Sequence, residues 1–366
     1  MMESRELPVT RAAVGTAAGA MRTRTLLAMA LAATAIVSTV ACSQAETTPE
    51  ADEASGAQPA AGASIERLDP ALDELIAPDA VIEKVATGFG FTEGPMWRDG
   101  KLWFSDVTGD KLRTVDRTGK VVEVLENSGG LENPPQGANI GSNGLVPAED
   151  GRVLMAQMGA RRIVSVDTQG NVEPFLSDYE GARLNSPNDM VYAPDGALWF
   201  TDPPFGLFNG MDDDPAKELK FNGVFRYAGG KLSPAITDLE LPNGIGLSPD
   251  GKTLYVSDYA NATIYAWNVG ESGAVSGKRT LITLANRGEG GADGLKVDKL
   301  GNIWATGPGG ISVVSAEGKL LGHINLPEVA ANLAFGEDGQ ALWITGSTSI
   351  YRLPVNDIGV MPRFAR

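Results

Sequence analysis

DGALWFTD at residues 195–202 is one of six copies of a single phrase, a turn-forming pair followed by a short apolar run. The others are DGKLWFSD from Asp99, DGRVLMAQ from Asp150, DGKTLYVSD from Asp250, LGNIWATG from Leu300 and DGQALWITG from Asp338, spaced 38 to 55 residues apart. Asp-Gly between apolar runs signals a hairpin, because glycine tolerates positive φ. Most copies are followed by a second strand-like run, such as KLRTVD, RRIVSVD or GISVVS. Each unit therefore reads as several short antiparallel strands, and repeats of this length fit one blade of a propeller. Six copies predict an all-β, six-bladed β-propeller. The segment at 80–85 is expected to supply a strand that closes the ring with the last blade, since an open sheet edge invites aggregation. A pair of β-sandwiches is the alternative, but it gives no reason for six equivalent copies. The one helical candidate is 65–76, where Ile65, Leu68, Leu72 and Leu75 could share a face.

Composition excludes several functions. There are 30 Lys and Arg against 46 Asp and Glu, a formal net charge of −16. Such a chain repels a phosphate backbone, so no nucleic-acid partner is expected. A single Cys excludes an intramolecular disulfide framework and any thiolate metal cluster, and a single His excludes a His-rich zinc site.

The first 64 residues read as address and tether. Arg22 and Arg24 precede a mostly apolar run at 26–40, whose 15 residues are short for a bilayer span. A basic start, a short apolar stretch and a small-residue end describe an export signal at 1–42. Met21 is a natural initiator, which would make 1–20 an over-long reading of the gene. Cys42 follows Ser-Thr-Val-Ala and resembles the lipidated Cys of a bacterial lipoprotein box, although Thr39 stands where Leu is usual. The expected location is the cell envelope or periplasm, with a lipid anchor at Cys42. Residues 43–64 hold four acids and no Lys or Arg, which reads as a flexible acidic linker. The propeller is then expected over 65–366.

Six or seven positions before each repeat stands an oxygen-bearing residue opening a short strand: Glu93, Asn143, Asn188, Asn243, Asp293 and Asn332. If the repeats are blades, these positions are equivalent by rotation and converge on the axis. Two carboxylates among four amides repel each other, and buried amides need partners. All donors are hard oxygens, which favours Ca²⁺ and then Mg²⁺; other divalent ions such as Mn²⁺ or Zn²⁺ remain alternatives. The competing reading is that Asn-Gly and Asp-Gly merely shape turns, which covers Glu93 poorly. A lysine ammonium in the midst of these oxygens would remove the case for a cation.

EGPMW, SPND, TDPPFG, PNGIGLSPDGKTLYVSD, DGLKVDKLGNIW and ANLAFG together resemble the gluconolactonase and senescence-marker-protein family over roughly residues 80–355. Diisopropylfluorophosphatase and the paraoxonases are more distant relatives. The resemblance implies a six-bladed propeller with a central divalent cation, commonly calcium, that hydrolyses lactones and in some members organophosphates. It implies Glu93, Asn243 and Asp293 as metal ligands, with Asn188 a ligand or a substrate contact. Asn143 would lie near the substrate, and Asn332 has the weakest claim. Ser186 replaces an Arg found in some animal members, and His323 has no partner for a paraoxonase-like histidine pair. The implied reaction opens a cyclic ester. Calcium acidifies water weakly, so a general base is required, with Asp293, Glu93 and Asp189 as catalytic candidates. An organophosphate or aryl-ester hydrolase and a non-enzymatic binding propeller are the competing functions.

Other features receive structural expectations. The tryptophans at 97, 103, 199, 304 and 343 should pack between blades, and Asp106, Asp202 and Asp258 should hydrogen-bond at strand ends. His323 should lie on a blade strand. Asp212, Asp213 and Asp214 should be solvated, Arg161 and Arg162 exposed, and the loop carrying Pro203, Pro204, Gly206 and Gly210 a lid.

Overall fold

The computed structural model describes residues 57–135, 140–284, 288 and 290–365. The export segment, Cys42 and the linker up to residue 56 lie outside the described residues. Three short strands come first: β1 (Gln58–Pro59), β2 (Ser64–Arg67) and β3 (Glu83–Thr87). Six antiparallel sheets follow in chain order. The first contains β4 (Thr92–Arg98), β5 (Lys101–Asp106), β6 (Lys111–Val115) and β7 (Val121–Glu126). The second contains β8 (Ser142–Pro147), β9 (Val153–Gln157), β10 (Arg162–Val166) and β11 (Val172–Leu176). A small hairpin intervenes, β12 (Asp178–Tyr179) with β13 (Ala182–Arg183). The third contains β14 (Met190–Tyr192), β15 (Leu198–Asp202), β16 (Asn222–Ala228) and β17 (Lys231–Leu239). The fourth contains β18 (Pro242–Leu247), β19 (Thr253–Asp258), β20 (Thr263–Val269) and β21 (Val275–Thr283). The fifth contains β22 (Leu295–Val297), β23 (Ile303–Gly307), β24 (Gly310–Val314) and β25 (Leu320–Asn325). The sixth contains β26 (Ala330–Gly336), β27 (Ala341–Gly346) and β28 (Ser349–Pro354).

The sixth sheet takes its fourth strand from the other end of the chain. β3 pairs antiparallel with β28, Thr87 opposite Ser349, and β1 pairs with β3. The closing strand expected at 80–85 is thus realised at 83–87. β2 pairs with β25, Ile65 opposite Ile324, as an extra outer strand of the fifth sheet. This corrects the helix expected at 65–76. The free edge of β25 offers backbone partners to residues 64–67, and Pro70 disfavours helix immediately before it. Only Leu72–Leu75 is helical, with Leu72, Leu75 and Ile76 buried against the fifth and sixth blades. Residues 58–59 and 64, placed in the linker from sequence, are already paired with the blades.

The repeated phrase forms the second strand of each blade. Its strands are apolar on both faces because each blade is covered on both sides. In β15, Leu198 and Phe200 join the core shared with the second blade, while Trp199 joins the core shared with the fourth. Six such cores lie between successive blades, and one joins Trp343 of the sixth to Trp97 and Phe104 of the first, closing the ring. The glycine at the second position of the phrase has positive φ in every copy, from 71° at Gly251 to 91° at Gly339, as the hairpin reading requires.

Candidate active site at the propeller axis

The inner strand of each blade abuts that of the next, so their first residues meet at one end of the axis. The glycines after Asn143, Asn243 and Asp293 are what permit this. A Cβ on Gly144 would sit 2.3 Å from Asn188 O, one on Gly244 2.4 Å from Asp293 O, and one on Gly294 2.1 Å from the Asn332 side chain. None of these three has positive φ, so they are close-approach glycines and the turn reading does not hold for them. Backbone hydrogen bonds cross the same seams: Gly144 N–H donates to Asn188 O at 2.8 Å and Gly244 N–H to Asp293 O at 3.0 Å. Hydroxyls from the repeated phrase stitch neighbouring blades together. Ser105 Oγ donates to Asn143 O at 2.7 Å, Thr201 Oγ1 to Asn243 O at 2.7 Å and Thr306 Oγ1 to Ala331 O at 2.6 Å. These stitches were not anticipated from sequence, although the Ser or Thr recurs at the same place in the phrase.

Glu93, Asn143, Asn188, Asn243 and Asn332 are all buried, and Asp293 is partly open. The Oδ1 atoms of Asn143, Asn188, Asn243 and Asp293 are buried without a hydrogen-bond partner. An unsatisfied buried acceptor costs about 1–3 kcal/mol, so four together call for a positive guest. The side chain of Asp293 meets both the Asn243 amide and the Glu93 carboxyl. Burial pushes Glu93 up to about 7, against the pull of the Gly94 N–H and the Asn332 amide. Burial, followed by the charges of Glu93 and Asp189, pushes Asp293 well above the usual carboxylate range. Orphaned hard oxygens and two carboxylates that disfavour each other's charge fit a divalent cation. Among the described residues no three side chains of the His, Cys, Asp and Glu types form a metal cluster, so such a cation would lean on the amides.

Asn332 is turned differently. Its Nδ2 donates to Glu93 Oε2 at 3.0 Å, and its Oδ1 accepts the Leu333 N–H at 2.8 Å. It therefore orients Glu93, and its oxygen is already engaged. Asp189 is buried one residue beyond Asn188. Its Oδ1 accepts the Met190 N–H at 2.9 Å and its Oδ2 accepts Lys296 Nζ at 3.1 Å. Lys296 was missed from sequence. The signal was present, because the position three after the ring residue is otherwise Met96, Val146, Val191, Gly246 or Phe335. Its ammonium lies on the Asp189 and Asn332 side; the four orphaned oxygens have no ammonium partner. Beyond Lys296 a cavity of about 280 Å³ continues, lined by Met96, Leu145, Ile245 and Phe335 and by Met361 and Arg363 near the C-terminus.

Arg161, expected to be exposed, is buried. Its Nε donates to Leu184 O and Asn185 O at 2.9 Å, and its Nη1 donates to Ala216 O at 2.7 Å. It fastens the segment leading to Asn188. Arg162 is half-buried and donates to Gln157 Oε1 at 2.6 Å. Ser186 Oγ donates to Pro203 O at 2.6 Å and accepts the Gly206 N–H at 2.8 Å, so the loop expected to be a lid is pinned at its start. Asp202 accepts the Asn185 and Ser186 N–H groups, each at 2.8 Å, while burial pushes its carboxyl up to about 7. Asp106 and Asp258 hold the corresponding segments of their blades, as expected. Asp212 and Asp213 are exposed, whereas Asp214 is buried and accepts the Asn209 and Ala216 N–H groups. His323 lies buried on β25 facing Ser312 Oγ at 3.1 Å. The five tryptophans are buried at blade interfaces.

Residues 91–348 match the family described as SMP-30/Gluconolactonase/LRE-like region. The chain belongs to this family. It is 36% identical over 310 residues to a gluconolactonase of Zymomonas mobilis, covering 81% of this chain and 87% of the relative. The solved gluconolactonase XC5397 of Xanthomonas campestris is 32% identical with a TM-score of 0.74, covering 83% of this chain and 98% of that one. At lower identity, 25% over 297 residues, stands the diisopropyl-fluorophosphatase of Loligo vulgaris, with 74% of this chain and 90% of the relative covered. The matched SMP-30/gluconolactonase region contains all six ring residues as well as Asp189 and Lys296.

Proposed function

We propose that the protein is a metal-dependent hydrolase that opens a lactone ring, with a sugar lactone or a close analogue as substrate. The carrying observation is the set of four orphaned oxygens beside two confined carboxylates at the axis. The gluconolactonases of Zymomonas mobilis and Xanthomonas campestris support the lactone as substrate class. Glu93, Asn188, Asn243 and Asp293 would hold the cation, with calcium favoured by the all-oxygen donor set. Bound there, the ion would polarise the lactone carbonyl and balance the charge that develops on its oxygen. Asn143, next to Asn188 across the blade seam, would orient the substrate. Of the three candidate bases, Glu93 and Asp189 are buried and hydrogen-bonded, and Asp189 is paired with Lys296. Asp293 alone is partly open, so it is the group assigned to take the proton from the attacking water. Hydrolysis of a sugar-lactone panel, followed by pH-stat, tests this. Wild type should turn over, and Glu93→Gln and Asp293→Asn should each lose about 10²-fold or more in kcat. Full activity in both variants would contradict the mechanism.

The similarity to the Loligo vulgaris enzyme favours a second reading, hydrolysis of a fluorophosphate or aryl ester at the same centre. Those substrates belong in the same panel. Export and lipidation at Cys42 form a separate part of the proposal, resting on the N-terminal sequence alone. Failure of radiolabelled palmitate to enter the wild-type protein in bacteria would refute the anchor.

A further inference from the structure

Lys296 enters the axis from β22, where the other blades present apolar side chains or glycine. Its ammonium has three protons and finds three oxygens: Leu295 O at 2.9 Å, Asp189 Oδ2 at 3.1 Å and Asn332 Oδ1 at 3.4 Å. Asp189 is thereby fully engaged, since its other oxygen accepts the Met190 N–H. Asn332 is fixed as well. Two donors hold its oxygen, which leaves its NH₂ facing Glu93 Oε2.

The charges at the axis then balance simply. With both ring carboxyls ionised, as a bound cation would hold them, Glu93, Asp189 and Asp293 carry three negative charges, and Lys296 returns one. The remainder is two, which a single divalent cation neutralises. Without the ammonium, a buried carboxylate would stand uncompensated beside two others, an arrangement proteins avoid. The three oxygens around the ammonium are also hard donors. They are the kind that would otherwise hold a metal ion.

We propose that Lys296 is a positioning residue that acts as a tethered counter-cation. It fills an oxygen-lined place beside the ring, neutralises Asp189 and fixes Asn332 against Glu93, so that the axis takes one divalent ion and no second. This rests on the metal-dependent reading above and adds a count to it.

The test is calcium titration of chelator-stripped protein by calorimetry, with bound calcium measured by atomic emission after dialysis. Wild type should bind one ion per chain. Lys296→Ala opens the cradle and should bind two, and Lys296→Arg should return to one. Asp189→Asn leaves the ammonium unbalanced and should weaken calcium binding about tenfold or more. The double variant Asp189→Asn/Lys296→Met replaces the ion pair by a neutral pair of similar bulk. It should bind one ion within about threefold of the wild-type affinity, and it decides the matter if Lys296→Ala does not fold. One ion in a folded Lys296→Ala would overturn the proposal, and so would unchanged affinity in Asp189→Asn. A double variant that binds two ions, or none, would also overturn it. Wild type binding no ion would overturn the metal-dependent reading itself, and this inference with it.

Discussion

Asn332 Nδ2 donates to Glu93 Oε2 at 3.0 Å across 239 residues of chain, at the seam where the last blade meets the first. Closing the ring and orienting Glu93 are thus one event. Asn332→Leu keeps the bulk and removes the donor. It should lower calcium affinity and kcat about tenfold each, since a charge-assisted hydrogen bond contributes about 1.5–3 kcal/mol. Parallel calcium titration and lactonase kinetics check this. Wild-type values for both would remove Asn332 from the site.

The close-approach glycines predict a steric cost with no role for chemistry. In Gly244→Ala the new Cβ would lie 2.4 Å from Asp293 O and 2.5 Å from Leu295 N, both backbone atoms that cannot move alone. The variant should lose about 2 kcal/mol or more of stability in urea unfolding, or fail to accumulate. Gly229→Ala should cost less than Gly244→Ala, because the only obstacle there is the positive φ of 57°, with nothing within 4 Å of the new Cβ.

The hydroxyl stitches make a paired prediction. Thr201→Val leaves Asn243 O short of a donor at a buried seam and should destabilise by about 1–3 kcal/mol. Ser257 stands at the same place in the fourth blade, yet its Oγ is buried without a partner. Ser257→Ala should therefore be close to neutral. Denaturant midpoints measured side by side distinguish the two.

The ring carboxyls give metal-free protein a pH dependence of definite sign. Glu93 titrates near 4.5 when unfolded and at about 7 when folded without a cation, so folding favours its protonated form. That contribution is present below about pH 4.5 and is lost as pH rises to about 7. Asp293 acts in the same direction. Chelator-treated protein should therefore lose thermal stability across this window relative to calcium-loaded protein. Asp202, raised to about 7 by burial, adds a slope common to both forms. Parallel melting curves with and without calcium would contradict the placement of a cation beside Glu93.

The repeat made the propeller legible, because a phrase that recurs six times must occupy equivalent places. The strand closing the sixth blade was legible to within a few residues. The N-terminal segment was not, since the pattern of Ile65 and Leu68 suits a helix and only the free edge of β25 makes it a strand. The ring residues were legible from their shared offset before the phrase. Their glycines were harder to read, because Asn-Gly as a turn and Asn-Gly as a close approach are identical in sequence. Lys296 was visible as one charged residue in an otherwise apolar column. Its meaning needed the third dimension, since Asp189 and Asn332 lie 107 and 36 residues away.

The central claim is that the oxygens of Glu93, Asn188, Asn243 and Asp293 surround a divalent cation on which lactone hydrolysis depends. Chelator-stripped protein titrated with calcium, with lactonase activity read at each addition, tests it most directly. The account predicts one ion bound per chain, with activity rising in proportion to occupancy. Full activity in the stripped protein, or calcium addition that neither binds nor activates, would contradict it.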